Sequence, residues 1–331
     1  MQTENNLSDR WTILKIISWT TNYFKEFDID SPRLTAEILL CHALNIRRID
    51  LYLQFDRPLN SDELAQYKSL IRRRLKKEPV AYITGSKGFW DSQFIVTPDV
   101  LIPRPDTELI VEVALNLIKQ KKNERQNKVE QYSKIEQNII ECNEKIEKHN
   151  KSLDQHINIL ELGTGSGAIS ISLAKENQNS SDIIFFATDI SLKAAIIAKK
   201  NSLNAIMKPS QNLFFLIGSW FSPIKPEAKF DIIISNPPYI PTNDIKTLQE
   251  EVRDYEPLLA LDGGSDGISS LKEIMRSAHH YLTQDGILLM EMGFDQKEKI
   301  ELEALKICKY EPPIFIKDYA GHNRVVSLKK I

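Results

Sequence analysis

Apolar residues recur at three- and four-residue spacing from residue 8 to about 77. They are Trp11, Leu14 and Ile17, then Leu34, Ile38, Leu39 and Leu44, then Leu64, Tyr67, Leu70, Ile71 and Leu75. That is the helical period, so the spacing predicts an N-terminal helical region. Ser31-Pro32 has the form of a helix start, with Ser as N-cap and Pro at the first helical position, and Ser61 opens another helix. Pro79 closes the last of them. From residue 80 to about 102 the content turns strand-like: Val80, Tyr82 and Ile83, a turn region at Gly85 to Gly88, then Phe94, Ile95 and Val96. A hairpin is predicted there. The run Ile102-Pro103-Arg104-Pro105-Asp106-Thr107-Glu108 follows as a stiff extended link, because its two prolines disfavour helix. A new helix starts at Asp106, with Leu109, Ile110, Val113, Ala114, Leu117 and Ile118 on its buried side.

Residues 119–156 break the pattern. They are dominated by Lys, Glu, Gln and Asn and contain no Gly or Pro, while Ile135, Ile139, Cys142 and Ile146 keep a helical spacing. Both an amphipathic helix and a disordered insert fit this composition. No chemical constellation lies within it, so it is expected to be dispensable for chemistry. From Ile157 onward strands and helices alternate. The strands are 157–162, 183–189, 213–217, 230–235, 287–291, 314–317 and 325–328, with helices near 167–176, 191–203, 267–282 and 295–308. The early strands are largely apolar runs, as strands buried on both faces are. A doubly wound α/β sheet of seven strands is predicted.

Composition narrows the picture. The 331 residues suffice for two domains. Lys+Arg total 43 and Asp+Glu 45, a net charge of −2, which gives no general electrostatic attraction to nucleic acid or an anionic membrane. The cationic run Arg72-Arg73-Arg74-Leu75-Lys76-Lys77 reads as a solvated helix face, although such a patch would also suit an acidic partner or ribosomal RNA. Cys41, Cys142 and Cys308 form no close pair, which fits a reducing cytoplasm better than a disulfide framework or a zinc site. No apolar run approaches the roughly 20 residues of a membrane helix, and the N-terminus is polar with no signal core. A cytoplasmic protein with no membrane partner is expected.

Two motifs carry chemistry. After the first sheet strand comes Glu161-Leu162-Gly163-Thr164-Gly165-Ser166-Gly167-Ala168. A glycine-rich turn between strand and helix lets backbone approach a ligand closely and aims helix N–H groups at it. The next strand ends in Asp189, whose carboxylate suits ribose hydroxyls. The glycines alone leave NAD and S-adenosylmethionine both open. The decisive motif is Asn236-Pro237-Pro238-Tyr239, directly after an apolar strand. An amide or exocyclic amine is a poor nucleophile because its lone pair is delocalised. The Asn236 side-chain oxygen and the Pro237 carbonyl can each accept one N–H of a target NH₂, and Tyr239 can stack on the planar group. Charge developing on the nitrogen would strengthen both bonds. No metal is required.

These stretches, together with Glu78–Gly85, the 102–108 link, 251–257 with 261–267, and the closing Asp318-Tyr319-Ala320-Gly321-His322-Asn323-Arg324, resemble the protein-glutamine N5-methyltransferases that modify peptide chain release factors, the HemK/PrmC family. The resemblance spans nearly the whole chain apart from 119–156. It implies a class I methyltransferase domain, Rossmann-like, over 106–331, preceded by a helical substrate-recognition domain over 1–82 and a hairpin and proline-rich linker over 83–105. It implies S-adenosylmethionine as cofactor, held by Gly163, Thr164, Gly165, Ser166, Gly167, Asp189, Trp220 and Asn236. The target glutamine, in a Gly-Gly-Gln motif of a release factor, would be bound by Asn236, Pro237, Pro238 and Tyr239, with Asn236, Pro237 and Tyr239 catalytic. The family usually carries Ser-Asp before that tryptophan; here Gly218-Ser219 stand there, which puts a polar contact to the cofactor in question. The alternative is an amino-methyltransferase acting on adenine or guanine of nucleic acid, since Asn-Pro-Pro-Tyr is shared with such enzymes. Against it stand the charge balance and the absence of a recognisable nucleic-acid-binding module. The chain is expected to act as a monomer that holds no stable nucleic acid.

Overall fold

The computed structural model describes residues 10–140, 156–206 and 212–331, with the backbone alone described for 128–140. The chain forms two compact units. One comprises Met1–Ser86, Val96–Pro98 and Thr247–Glu256; the other comprises Lys87–Ile95, Asp99–Lys246 and Pro257–Ile331.

The first unit is helical: α1 (Ile13–Glu26), α2 (Pro32–Leu44), α3 (Arg48–Leu53), α4 (Ser61–Leu75) and α5 (Val80–Thr84). Of the periodic residues, Ile17, Leu39, Tyr67, Leu70 and Ile71 are buried in one core with Ile13, Phe24 and Leu40, whereas Trp11, Leu14 and Leu34, expected on the same faces, are exposed. The Tyr67 hydroxyl donates to the Ala36 carbonyl at 3.0 Å, so its one polar atom is satisfied inside that core. Pro32 does occupy the first position of α2, but Ser31 has φ +46° and makes no side-chain cap. The cap of α4 is Asn60, in a reciprocal box with Glu63. The cationic run is mixed: Arg72, Arg73 and Lys76 are exposed, as on a solvated face, while Arg74 and Lys77 are engaged within the unit. Arg73 binds Glu78; Arg74, 4% exposed, pairs with Glu251 at 2.7 Å; and Lys77 donates to the carbonyls of Phe27 and Asp28.

Two local expectations are corrected here. Val80, Tyr82 and Ile83 lie in helix α5, not in a strand. The N–H groups of Tyr82 and Ile83 both reach the Pro79 carbonyl, Ile83 packs into the helical core, and Gly85 at φ +73° ends the turn. Burial against helices outweighs the β preference of these side chains. The hairpin, β1 (Ser86–Phe89) with β2 (Ser92–Ile95), turns at Trp90-Asp91 and not at Gly85 to Gly88. Trp90 has φ +53°, and it is held by its backbone N–H on Glu108 and its indole N–H on Glu176, at 2.9 and 2.8 Å.

The second unit holds that turn and the sheet. A 3₁₀ turn (Pro105–Thr107) leads into α6 (Glu108–Ile140), so the polar segment continues the helix through Ile139; Cys142 and Ile146 lie outside the described residues. The sheet strands are β3 (Ile157–Leu162), β4 (Ile183–Asp189), β5 (Leu213–Ile217), β6 (Phe230–Ser235), β7 (Leu282–Glu291), β8 (Ile314–Lys317) and β9 (Asn323–Lys329). Between them run α7 (Ala168–Glu176), α8 (Leu192–Ala205), α10 (Ser269–Tyr281) and α11 (Lys297–Ile307), while the short α9 (Glu250–Arg253) belongs to the first unit. Strand order is β5-β4-β3-β6-β7-β9-β8, parallel except for β9, which is antiparallel to β7 and β8. This is the expected seven-stranded class I methyltransferase sheet. Period-two alternation divides the strands between two cores: Ile159, Ile232 and Ile234 on the α6–α7 face, Leu160, Leu162 and Ile233 on the α10–α11 face.

The chain winds outward from β3 through β4 to β5, then returns to β6 on the other side of β3. The carboxyl ends of β3 and β6 therefore flank the switch point, where open α/β sheets bind ligands. Among the described residues no helix is long and apolar enough to cross a membrane.

Candidate active site

A cavity of about 650 Å³ opens at that switch point, within the second unit. Gly163, Gly165, Asp189, Trp220, Asn236, Pro237 and Pro238 all line it. Register explains the meeting. Leu162 pairs with Ser235, and the Ser235 hydroxyl donates to the Leu162 carbonyl at 2.8 Å, so the glycine turn and Asn236 leave neighbouring strands at the same height.

The turn requires its glycines. Gly163, Gly165 and Gly167 have φ of +72°, +57° and +83°, where a Cβ is strained. The N–H groups of Gly163 and Thr164 both reach the Thr188 carbonyl at 2.9 Å, which anchors the turn to β4. A Cβ on Gly165 would meet nothing within 4 Å, so this backbone faces open cavity. A Cβ on Gly167 would lie 2.5 Å from Ile171 Cδ1 and 3.2 Å from Ala198 Cβ, a packing position. Thr164, Ser166 and Gly167 do not line the cavity. The Thr164 hydroxyl instead donates at 2.6 Å to Glu161, which also accepts the Ser170 N–H at 3.1 Å. Burial pushes the Glu161 carboxyl up to about 7 against those bonds.

Asp189 stands opposite the turn. Its Oδ2 accepts the Gly165 N–H and its Oδ1 the Ser191 N–H, each at 2.8 Å. Burial raises this carboxyl above its ordinary value, and the two backbone donors oppose the rise. Each oxygen keeps a lone pair for a further donor. Trp220 takes φ +43°, its carbonyl accepts from the Thr188 hydroxyl, and its ring edge stands 3.5 Å from where a Gly163 Cβ would be. Gly218 has a packing reason: a Cβ there would lie 2.6 Å from Ser222 Oγ and 2.8 Å from Pro223 Cδ. An open glycine backbone, a carboxylate with spare acceptors and an indole at one cavity wall fit an adenosine cofactor.

The Asn236–Tyr239 segment is clamped from several sides. Asn236 Nδ2 donates to Thr107 Oγ1 at 3.2 Å. The Tyr239 hydroxyl donates to Glu291 Oε1 at 3.1 Å, and burial with the nearby Glu291 charge raises this phenol above its ordinary value. The Tyr239 carbonyl accepts from buried Gln296 at 2.7 Å. Ile240 exchanges backbone bonds with Leu261 and Gly263, and Gly263 cannot carry a Cβ because Gly267 O and Tyr239 Cα would be 2.5 and 2.8 Å away. Pro237, buried, and Pro238 line the cavity and present no N–H to it. Tyr239 itself does not line the cavity. Thr107, Glu291 and Gln296 were missed as site residues. Thr107 lies in the proline-rich link and Glu291 ends a strand on the ligand edge of the sheet, the one signal that could have singled out either.

Comparison with known proteins agrees with this geometry. Residues 15–85 match the model of the PrmC N-terminal domain, and residues 153–311 match a methyltransferase domain. A release factor glutamine methyltransferase of Geobacter sulfurreducens is 37% identical over 290 residues, covering 88% of this chain and 87% of its own. One from Rhodopirellula baltica is 33% identical over 320 residues, 97% of each chain. A bifunctional methyltransferase of Rickettsia typhi is 35% identical over 327 residues, 97% of this chain and 58% of its own.

Proposed function

The chain belongs to the release factor glutamine methyltransferase family, and from that premise we propose that it methylates the side-chain amide nitrogen of a glutamine in the Gly-Gly-Gln motif of a peptide chain release factor, giving N5-methylglutamine. The cofactor is S-adenosylmethionine, which when bound supplies an electrophilic sulfonium methyl group. One observation carries the site assignment: Asn236-Pro237-Pro238 and the Gly163–Gly165 turn with Asp189 line a single cavity at the switch point.

The residues divide the work. The backbone of Gly163 and Gly165 shapes the cofactor wall, Gly167 packs behind it, Asp189 accepts from ribose hydroxyls, and Trp220 lies against the adenine. Thr164 and Ser166 are buried and brace the turn. Asn236 Oδ1 and the Pro237 carbonyl each accept one N–H of the target amide. That fixes the nitrogen lone pair along one direction and stabilises the positive charge that develops as the N–C bond forms. Pro238 lines the wall beside the planar amide, and Tyr239, outside the cavity and tied to Glu291, anchors the segment. Affinity for the intact factor comes from the helical first unit, because a small glutamine loop offers little area for discrimination. A substrate that works on the ribosome implies a cytoplasmic enzyme, and the chain acts as a monomer with no stably bound nucleic acid.

Transfer of labelled methyl from S-adenosylmethionine is measured on a release factor, a glutamine peptide, DNA and RNA side by side, with unsubstituted protein and Asn236→Ala. Label on the glutamine amide of the release factor is expected. Asn236→Ala is expected to lower turnover by on the order of 10- to 150-fold, the worth of a charge-assisted bond, with a smaller change in cofactor affinity. Labelling of nucleic acid alone, or undiminished turnover by the variant, would overturn the assignment.

A further inference from the structure

The Asn236–Tyr239 segment has to be positioned from its ends. Pro237 and Pro238 have no N–H with which to bond the scaffold, and their rings lock φ. Asn236 and Pro237 each precede a proline, which confines ψ to extended values. The segment is therefore a stiff strut, and a restraint at Tyr239 reaches the Pro237 carbonyl with little slack. Ser235 fixes one end, paired with Leu162 and Met290 in the sheet. At the other end the Tyr239 carbonyl is held by Gln296.

Gln296 is an unusual residue for its place. It is the N-cap of α11, yet its side chain caps no helix N–H, and glutamine is not among the residues favoured there. Its buried amide serves three other partners. Nε2 donates to the Tyr239 carbonyl at 2.7 Å and to the Gly267 carbonyl at 3.1 Å, and Oε1 accepts the Gly293 N–H at 2.9 Å. All three are backbone groups of fixed polarity, two acceptors and one donor, so only one orientation of the amide satisfies them. Topology brings them together. Strand β7 adjoins β6 with Met290 beside Ser235, so the turn that follows β7 emerges next to the strut. The fit leaves no room: a Cβ on Gly293 would stand 3.0 Å from Gln296 Cδ, and one on Gly267 would stand 2.8 Å from both Gln296 Nε2 and the Tyr239 carbonyl oxygen.

We propose that Gln296 is a positioning residue for methyl transfer: by joining the Tyr239 carbonyl to the Gly267 loop, it sets where the Pro237 carbonyl meets the target N–H. Gln296 does not line the cavity, so it acts through the strut. The inference rests on the functional reading above, which gives the Pro237 carbonyl its part.

The test uses the full chain with a Gly-Gly-Gln peptide as acceptor. Gln296→Met keeps the length of the side chain and removes both donors. It is expected to lower kcat by on the order of 10- to 100-fold, the cost of a misplaced reacting group. The Kd for S-adenosylmethionine by calorimetry and the peptide KM are expected to stay within about twofold. Ile300→Ala, one turn along α11 and in the core, is the control for lost stability: its Tm falls, but its kcat measured well below that Tm is expected to hold. Gly267→Ala drives a Cβ into the same joint from the other side and is expected to slow turnover in the same way, which answers the question even if Gln296→Met does not fold. Because both substitutions act on one contact, their combined loss is expected to fall short of the product of the two. A Gln296→Met or Gly267→Ala protein that turns over as fast as Ile300→Ala, cofactor affinity that falls as far as kcat, or losses that multiply in the double variant would overturn the proposal. No transfer to glutamine by the unsubstituted protein would instead overturn the functional reading, and the role of Gln296 with it.

Discussion

Two glycines of one turn, Gly165 and Gly167, should fail in opposite ways when given a methyl group. Both sit at positive φ, so alanine at either costs about 1–2 kcal/mol of backbone strain. At Gly167 the new Cβ would stand 2.5 Å from Ile171 Cδ1 and 3.2 Å from Ala198 Cβ. Relief requires moving a fully buried isoleucine, and overpacking of this kind costs about 1–3 kcal/mol. Gly167→Ala should therefore lose about 2–5 kcal/mol and several degrees of Tm. At Gly165 the Cβ meets no protein atom within 4 Å, and the residue lines the cavity. Gly165→Ala should keep most of its stability and lose cofactor affinity instead, by on the order of 5- to 150-fold if the methyl group imposes the same 1–3 kcal/mol on the ligand. Thermal or urea unfolding measures the first quantity and calorimetry with S-adenosylmethionine the second. A Gly165→Ala protein that binds cofactor as tightly as the unsubstituted chain would refute the placement of the cofactor against this turn. A Gly167→Ala protein that melts normally would refute its role as a packing position.

Two further outcomes follow from charge. Arg125, within the polar segment, pairs with the buried Asp231 at 2.7 Å, and Asp231 also accepts the Asn158 N–H at 2.9 Å. Arg125→Ala should destabilise the protein by about 1–3 kcal/mol, whereas replacing 128–154 by a short Gly/Ser linker should leave melting and peptide methylation largely intact; equal melting of Arg125→Ala and the unsubstituted protein would refute the pairing. Burial raises the Glu161 carboxyl from 4.5 to about 7. Its folded value exceeds its unfolded one, so its contribution is full below pH 4.5 and is lost as pH rises through 7, a decline of about 3 kcal/mol. Glu161→Gln should flatten the stability–pH curve across that window, and identical curves would show that the carboxyl is not buried as described.

Much of this protein is written in local pattern. Strand and helix periods, the glycine turn ending β3, and Asn-Pro-Pro-Tyr after β6 are legible because each depends on residues within a few positions of one another, and the strands β3 to β6 run as read. The loss at Val80–Ile83 has the opposite cause: β-branched content was overruled by burial in a helical core. The hairpin turn likewise moved to Trp90, whose positive φ is held by Glu108 and Glu176, residues 18 and 86 positions away. Long-range pairings were invisible for the same reason. Arg74 finds Glu251 across 177 residues, and Asn236 finds Thr107 across 129. Sequence alone therefore determined which groups are candidates for the chemistry, because residue type and local turn geometry specify them. Only the tertiary structure decided how they are held, because the orientation of an amide, the burial of a carboxylate and the partner of a cation depend on atoms that the chain brings together solely by folding.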